Sequence, residues 1–292
     1  MGDKSRIEWT DATWNPVTGC DRISPGCDNC YALTQAARLQ RMGNRRYQRD
    51  GKPPRSGPGF GVTLHRDVLW KPSGWRKPRR VFVNSMSDLF HESVPAEFID
   101  LVFAEMWIAS QHVFQVLTKR HRRMHDVLTS AVRHREDSLY WHSREPAPHI
   151  WLGVSIENQQ WADARIPWLL KTPAAVRFLS IEPMLGPVDL SAWIDEGDWW
   201  CDACDAYVSA VTIDGQCASC GYDEVRWHPV IDWVIVGGES GHKRRPLDKD
   251  WVRAVRDQCI EAGVAFFYKQ GSAFYSGRDR ELDGRTWDEY PA

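Results

Sequence analysis

The sequence predicts an α/β fold, a barrel or an open sheet of parallel strands, with a small cysteine-rich insertion. The first observation behind this is that six short β-branched or aromatic runs recur: RVFVNSMS, HVFQVLTKR, HIWLGVSIEN, VRFLSIEP, IDWVIVGGES and VAFFYKQ. The second is that each is followed by a polar turn and usually by residues at helical spacing, the pattern of βα units. The third is that the runs are almost continuously apolar rather than alternating, as strands covered on both faces tend to be.

Taken in order, the start MGDKSRIEWTD has no apolar stretch of the kind a signal peptide needs, and no later run is long and apolar enough to cross a bilayer. The expectation is a cytoplasmic protein without a membrane partner. Residues from about Arg41 to Pro78, including RYQRDGKPPRSGPGFG, are dense in Gly, Pro and Arg and read as a long irregular insertion. Between the first two runs, Val94 and Pro95 open a helix expected from Pro95 to Ser110, with Phe98, Leu101, Val102 and Glu105 on one face. Asp248 reads as the N-cap of an amphipathic helix that places Trp251, Val252, Val255 and Cys259 together, which gives Cys259 a packing role. Residues 199–228 break the strand rhythm and read as an inserted unit, leaving 1–198 and 229–292 as the main domain.

The carboxyl ends of the six runs carry Asn84, Ser85, Ser87 and Asp88; Thr118 and Lys119; Ser155 and Glu157; Ser180 and Glu182; Gly237, Gly238, Glu239 and Ser240; Lys269 and Gln270. In parallel α/β folds ligands bind at that rim. The glycine pair in VIVGGESG lets backbone approach a ligand, but it does not fit G-x-G-x-x-G, which excludes a dinucleotide fingerprint.

Lys and Arg total 37 against 39 Asp and Glu, so no global charge draws the 292-residue chain to a polyanion, and any such site is local. Three basic stretches, Lys77–Arg80, Lys119–Arg123 and His242–Arg245, lie beside strand ends, and the chain holds 16 Trp. Together they suit a surface that binds phosphates and stacks on bases; the competing reading is solvated charge and tryptophan packing.

Eight cysteines in a reducing compartment point to metal ligands or catalytic thiols rather than disulfides. WCDACDAYVSAVTIDGQCASCGY supplies Cys201, Cys204, Cys217 and Cys220 as two C-x2-C knuckles, with a hairpin expected between them. Four thiolates so arranged suit structural zinc in a ribbon. The other cluster, GCDRISPGCDNCYA, places Cys20, Cys27 and Cys30 at C-x6-C-x2-C. Three thiolates suit a [4Fe–4S] cluster with one iron free of protein, or zinc completed by a remote ligand such as His65 or His91. An open zinc site with water as the fourth ligand finds no HExxH motif in support.

The loop GCDRISPGCDNCYA, followed by the helical ALTQAARLQR, resembles the cysteine loop of radical S-adenosylmethionine enzymes, in which an aromatic residue follows the third cysteine as Tyr31 does here. Their usual spacing is C-x3-C-x2-C, so the loop geometry does not carry over. The segments IEWTDATWNPVTGC, SMSDLFH, LTKR, GVSIEN, SIEPMLGP and VGGESG, in this order between Ile7 and Gln270, look like a phage-associated family of uncharacterised radical-S-adenosylmethionine-like proteins.

That resemblance implies a partial (β/α) barrel of about six to seven parallel strands and a [4Fe–4S] cluster on Cys20, Cys27 and Cys30. It also implies S-adenosyl-L-methionine on the free iron and formation of a 5′-deoxyadenosyl radical. Lys119 becomes the candidate for the cofactor's carboxylate and Tyr31, through its backbone, for the adenine. Ser85, Ser87 and Asp88 become candidates for the amino group or ribose, Glu157 and Glu182 for ribose hydroxyls or substrate, and Gly237, Gly238 and Glu239 for close backbone approach. The implied substrate is a nucleic-acid base or nucleotide, in DNA repair or base modification, and the implied electron donor is a flavodoxin or ferredoxin. The implied location is the cytoplasm, the host's if the chain is phage-encoded. The competing function is a non-catalytic, zinc-dependent nucleic-acid-binding protein.

Overall fold

The computed structural model describes residues 4–47, 60–130, 146–194, 197–201, 203–204, 206–208, 212, 216–222 and 225–291. Its strands are β1 Ala12–Trp14, β2 Val17–Cys20, β3 Phe60–Leu64, β4 Arg80–Val83, β5 Val113–Thr118, β6 Ile150–Ser155 and β7 Val176–Ile181. They continue with β8 Gly197–Cys201, β9 Ala206–Val208, β10 Val225–Pro229, β11 Trp233–Gly237, β12 Ala265–Gln270, β13 Glu281–Leu282 and β14 Arg285–Thr286. The helices are α1 Tyr31–Arg41, α2 Ala96–Ile108, α3 His121–Thr129, α4 Gln159–Leu170, the one-turn α5 Ser191–Ile194 and α6 Lys249–Ala262.

Seven strands form one parallel sheet in the order β1-β4-β5-β6-β7-β11-β12, curled into a half-barrel with helices. The order follows the chain, so successive βα crossovers of one hand stack their helices on one face and leave the other concave. All six predicted runs are strands. The seventh, β1, is a three-residue edge strand paired with Val81–Val83.

Within the apolar runs the side chains alternate between two cores, as the period of a strand requires. Val81, Val83, Leu179, Val234, Val236, Phe266 and Tyr268 join the larger core, which also holds α2, α4 and α6 residues. Phe82, Trp151, Phe178, Trp233, Ile235 and Phe267 fill the concave side together with Trp9. Trp233 is the hub of that plug, with ring centroids 5.7 Å from Phe178, 5.9 Å from Trp151, 6.0 Å from Phe267 and 6.1 Å from Trp9. Such tilted and edge-on contacts suit aromatic quadrupoles. The plug therefore takes three of the chain's tryptophans into the amino-end half of the barrel, leaving the carboxyl end polar.

The helix expected over Pro95–Ser110 is α2, with Pro95 at its N-cap. Asp248 caps α6 by accepting from the Asp250 amide at 2.9 Å, and Gly263 ends it with a φ of 70°. Cys259 is buried in the larger core, as its helical position implies. In the irregular region after α1, β3 returns antiparallel to β2, while residues 48–59 lie outside the described residues. In the insertion, β10, β8 and β9 form a separate antiparallel sheet. The hairpin expected within YVSAVTIDG falls largely outside the described residues. No helix among the described residues is long and apolar enough to cross a membrane.

Candidate functional site

The insertion carries a four-cysteine group. Cys201, Cys204, Cys217 and Cys220 have ligand atoms all within 4.8 Å of one another. The Cys201–Cys220 and Cys204–Cys217 sulfur separations are 3.6 Å and 3.8 Å. A tetrahedral ion with bonds of about 2.3 Å places its ligand sulfurs about 3.8 Å apart, so the donor set fits a single metal ion such as zinc. Burial works against ionisation of Cys217, but the backbone N–H groups of Ser219 and Cys220 stabilise its thiolate and bring its pKa down to about 6. Chelator treatment is expected to release the ion and raise amide exchange in β8 and β10 toward the unprotected rate. The main sheet should keep its protection, because structural zinc contributes about 10–16 kcal/mol to small domains that lack a core. Unchanged exchange in β8 and β10 would show that the ion is dispensable.

The other three cysteines sit on a loop at the carboxyl rim of the half-barrel. Cys20 ends β2, Cys27 ends a one-turn 3₁₀ helix that starts with Pro25, and Cys30 is the N-cap of α1. Burial pushes Cys20 up to about 12, opposed by Arg120, whose Nη1 lies 3.5 Å from the sulfur. Burial also raises Cys30, opposed by the Ala32 backbone amide at the start of α1 and by Lys119. Among the described residues only the four insertion cysteines form a closed group of metal-ligating atoms.

Two rim carboxylates pin this loop. Glu157, just past β6, is fully buried and accepts from Ser24 Oγ at 2.6 Å and from Arg165 Nη1 at 3.1 Å, with Lys119 Nζ at 3.8 Å. A Cβ on Gly26 would lie 2.5 Å from Glu157 Oε1, so glycine is what lets the loop close on that carboxylate. Arg165 is fully buried too, and Nη1 also donates to Ser155 O at 2.5 Å. On the other side Glu239, just past β11, accepts from Asn29 Nδ2 at 2.9 Å and from the Arg245 backbone amide at 2.7 Å, and pairs with the Arg245 guanidinium. Burial raises the Glu239 carboxyl, but these hydrogen bonds hold it below the usual range. Arg245 Nη2 donates in addition to Pro25 O at 2.9 Å.

The remaining predicted residues divide by what they touch. Asp88 accepts from Thr118 Oγ1 at 2.7 Å and from the Lys119 and Phe90 amides at 3.1 Å and 3.0 Å, and Arg120 lies 3.3 Å away, so it ties two strand ends together. Ser87 donates to Val17 O at 2.8 Å, and Ser85 to Asn15 Oδ1 at 3.2 Å. Tyr31 donates its hydroxyl to Ser85 O although the residue as a whole is exposed. Glu182 pairs with Lys269 Nζ at 3.0 Å. A Cβ on Gly237 would collide with the Glu182 carboxylate, and one on Gly238 would meet Ser272 Oγ at 2.7 Å, so both glycines are filled against by protein. Lys119 faces the cysteine loop, a cation beside Glu157 and Cys30.

The alternative fourth ligands for the cysteine loop carry other hydrogen bonds, His91 to the residue after Cys20. His65 Nε2 lies 2.8 Å from Thr18 Oγ1, and His91 Nε2 lies 3.2 Å from Asp21 Oδ2.

The three basic stretches do not share one face. Arg80 opens β4 at the amino end of the sheet, where Asp11 pairs with it and the ring of Tyr290 lies 3.9 Å below its guanidinium. Arg120 and Arg123 bind carboxylates and backbone carbonyls. His242, Lys243 and Arg244 are exposed at the carboxyl rim, where the Lys243 carbonyl accepts from Asn29 and His242 packs edge-on against exposed Phe274 at 4.4 Å. Sequence reasoning missed Arg165, and it placed Arg120 and Arg245 in basic stretches rather than as partners of Asp88 and Glu239. Arg165 carried a signal: it occupies a core position in the spacing Ala162, Arg165, Ile166, Leu169, where a charge needs a buried partner.

A family model described as a protein of unknown function (DUF5131) matches residues 4–291. No curated protein and no solved structure gives a match. The match runs over nearly the whole chain, across half-barrel, cysteine loop and insertion alike, and the chain belongs to this family, DUF5131.

Proposed function

We propose that the protein is a radical S-adenosylmethionine enzyme in which Cys20, Cys27 and Cys30 hold a [4Fe–4S] cluster and the four insertion cysteines hold zinc. The observation that carries this reading is the seat of the three-cysteine loop, pinned by Glu157 and Glu239 over the carboxyl ends of a parallel half-barrel. That is the end at which such sheets bind ligands. Three thiolates suit a multi-iron cluster that keeps one iron free of protein, and a complete single-ion site exists elsewhere in the chain.

When bound, the cluster would supply the electron that cleaves S-adenosylmethionine to a 5′-deoxyadenosyl radical. The chain's own residues would position and shield. Lys119 offers a cation to the cofactor's carboxylate beside Cys30, and Tyr31 presents a half-exposed ring next to the loop. The Glu182–Lys269 pair places polar groups on the concave side, above an aromatic plug that keeps water from the amino end. The substrate is a nucleic-acid base or nucleotide, supported by the exposed His242, Lys243 and Arg244 beside Phe274 and Tyr275. The electron donor is a flavodoxin or ferredoxin, and the setting is the cytoplasm, that of the host if the gene belongs to a phage.

Protein reconstituted without oxygen and reduced with dithionite is expected to release 5′-deoxyadenosine from S-adenosylmethionine. Protein that binds only zinc and leaves S-adenosylmethionine intact would overturn the reading in favour of a zinc-dependent nucleic-acid-binding protein.

A further inference from the structure

The half-barrel is open along its β1 edge, and a cavity of about 370 Å³ lies there. Its walls come from β1 and the residues after it, the turn after β4, α1, the segment after α1, and residues 4–7. Lys4, Arg6 and Arg46 line it, and no Asp or Glu stands among the described lining residues. Arg46 is steadied by an ion pair with Asp67, which lies outside the lining.

The remaining lining is of a different kind. Gln35 and Asn15 contribute amides, Ser85 a hydroxyl, and Tyr47 a ring. Asn15 is buried, and its carbonyl oxygen already accepts from Ser85 Oγ and the Met86 amide, both at 3.2 Å. Its NH₂ group takes no acceptor among the described residues and is left to donate. The cavity also adjoins the cysteine loop. Tyr31, the residue after Cys30, donates to Ser85 O in the cavity wall.

The geometry points to a binding site for a nucleoside 5′-monophosphate in this cavity. A phosphate dianion matches a wall with three cations and no carboxylate, through charge-assisted hydrogen bonds. Amide and hydroxyl groups suit the polar edge of a base or a ribose, and a tyrosine ring suits its face. The volume falls within the about 300–1,000 Å³ typical of small-molecule sites. The inference rests on the proposed reaction for its meaning, as the place where the substrate waits one side chain from the cysteine loop. Its test needs no cluster, so failure to bind nucleotide and failure to cleave S-adenosylmethionine are distinguishable.

Isothermal titration of the full chain with deoxynucleoside 5′-monophosphates is expected to show saturable binding. The corresponding nucleosides and inorganic phosphate should each bind at least about tenfold more weakly, because each lacks half of the complementary chemistry. K4Q/R6Q, which alters exposed side chains, should weaken nucleotide binding about tenfold at an unchanged thermal midpoint, and N15A should weaken nucleotide while leaving phosphate binding as it was. Equal binding of nucleotide and free phosphate would reduce the cavity to a bare anion site and overturn the inference. So would nucleotide binding unaffected by K4Q/R6Q and by R46Q, or the absence of any nucleotide binding at millimolar concentration.

Discussion

Cys27→Ala is expected to lose more than nine-tenths of the iron and acid-labile sulfide that the wild-type chain takes up under anaerobic reconstitution, while its zinc content stays at one ion per chain. Wild-type protein should hold iron and sulfide in equal amounts, about four of each. Cys217→Ala should do the reverse, losing zinc and keeping iron. The crossed outcome follows from geometry. The insertion thiols form a closed four-sulfur group at separations of 3.6 Å and 3.8 Å, and the three rim thiols sit apart from it on the loop between β2 and α1. Cys27 is the informative position because it lies between the other two in the chain and follows Gly26, where the loop closes on Glu157. Elemental analysis with sulfide quantification reads the result. Zinc falling by one ion in both variants, with no iron in either, would leave two zinc sites and no cluster.

The second large effect concerns Glu157. Glu157→Ala leaves Arg165, fully buried, without its carboxylate, and Arg165 Nε and Nη2 already have no partner. Removing one member of a buried ion pair costs about 3–5 kcal/mol, because the remaining charge stays desolvated and unmatched. The thermal midpoint should fall by on the order of 10 °C in a chain of this size. The double variant Glu157→Ala/Arg165→Met should recover much of that loss, since it removes the stranded charge as well. Ser24 loses its acceptor in both variants, so iron uptake should stay impaired in the double variant even as stability returns. Calorimetry and iron analysis separate the two effects. A single variant within about 1 kcal/mol of wild type would mean that water reaches Arg165 and that the pair does not anchor this rim.

The strands were legible because burial on both faces writes itself into a run as continuous apolar character. RVFVNSMS, HIWLGVSIEN and IDWVIVGGES therefore announce β4, β6 and β11. The edge strand β1 was not legible, since three residues inside a turn-rich segment carry too little periodicity, and its pairing with Val81–Val83 is a long-range choice. The insertion's ligands were legible because two C-x2-C knuckles are local geometry. The tryptophans illustrate the opposite case. Their number alone suited a stacking surface as well as a core, and only the curl of the sheet, which needs a concave filling, put Trp9, Trp151 and Trp233 inside.

The rim shows the same division at the site. Glu157 and Glu239 could be picked out as acids at strand ends, but not as the anchors of the cysteine loop. The partners Ser24–Glu157 and Asn29–Glu239 stand 133 and 210 residues apart in the chain. The basic stretches, by contrast, were separable from chain order alone. Lys77–Arg80 precedes its strand and so falls at the amino end, whereas His242–Arg245 follows its strand and falls at the rim.

By itself, then, the sequence determined the parallel α/β class, the four-cysteine group, the helix caps at Asp248 and Pro95, and which polar residues lie past the strands. These rest on interactions that reach only a few residues along the chain. The tertiary structure alone decided which of those polar residues bind protein, where the three-cysteine loop is seated, and that a cation-lined cavity opens beside β1. Those outcomes depend on which charges are brought together and desolvated when distant segments pack, and a buried charge accepts only the partner that the fold delivers to it.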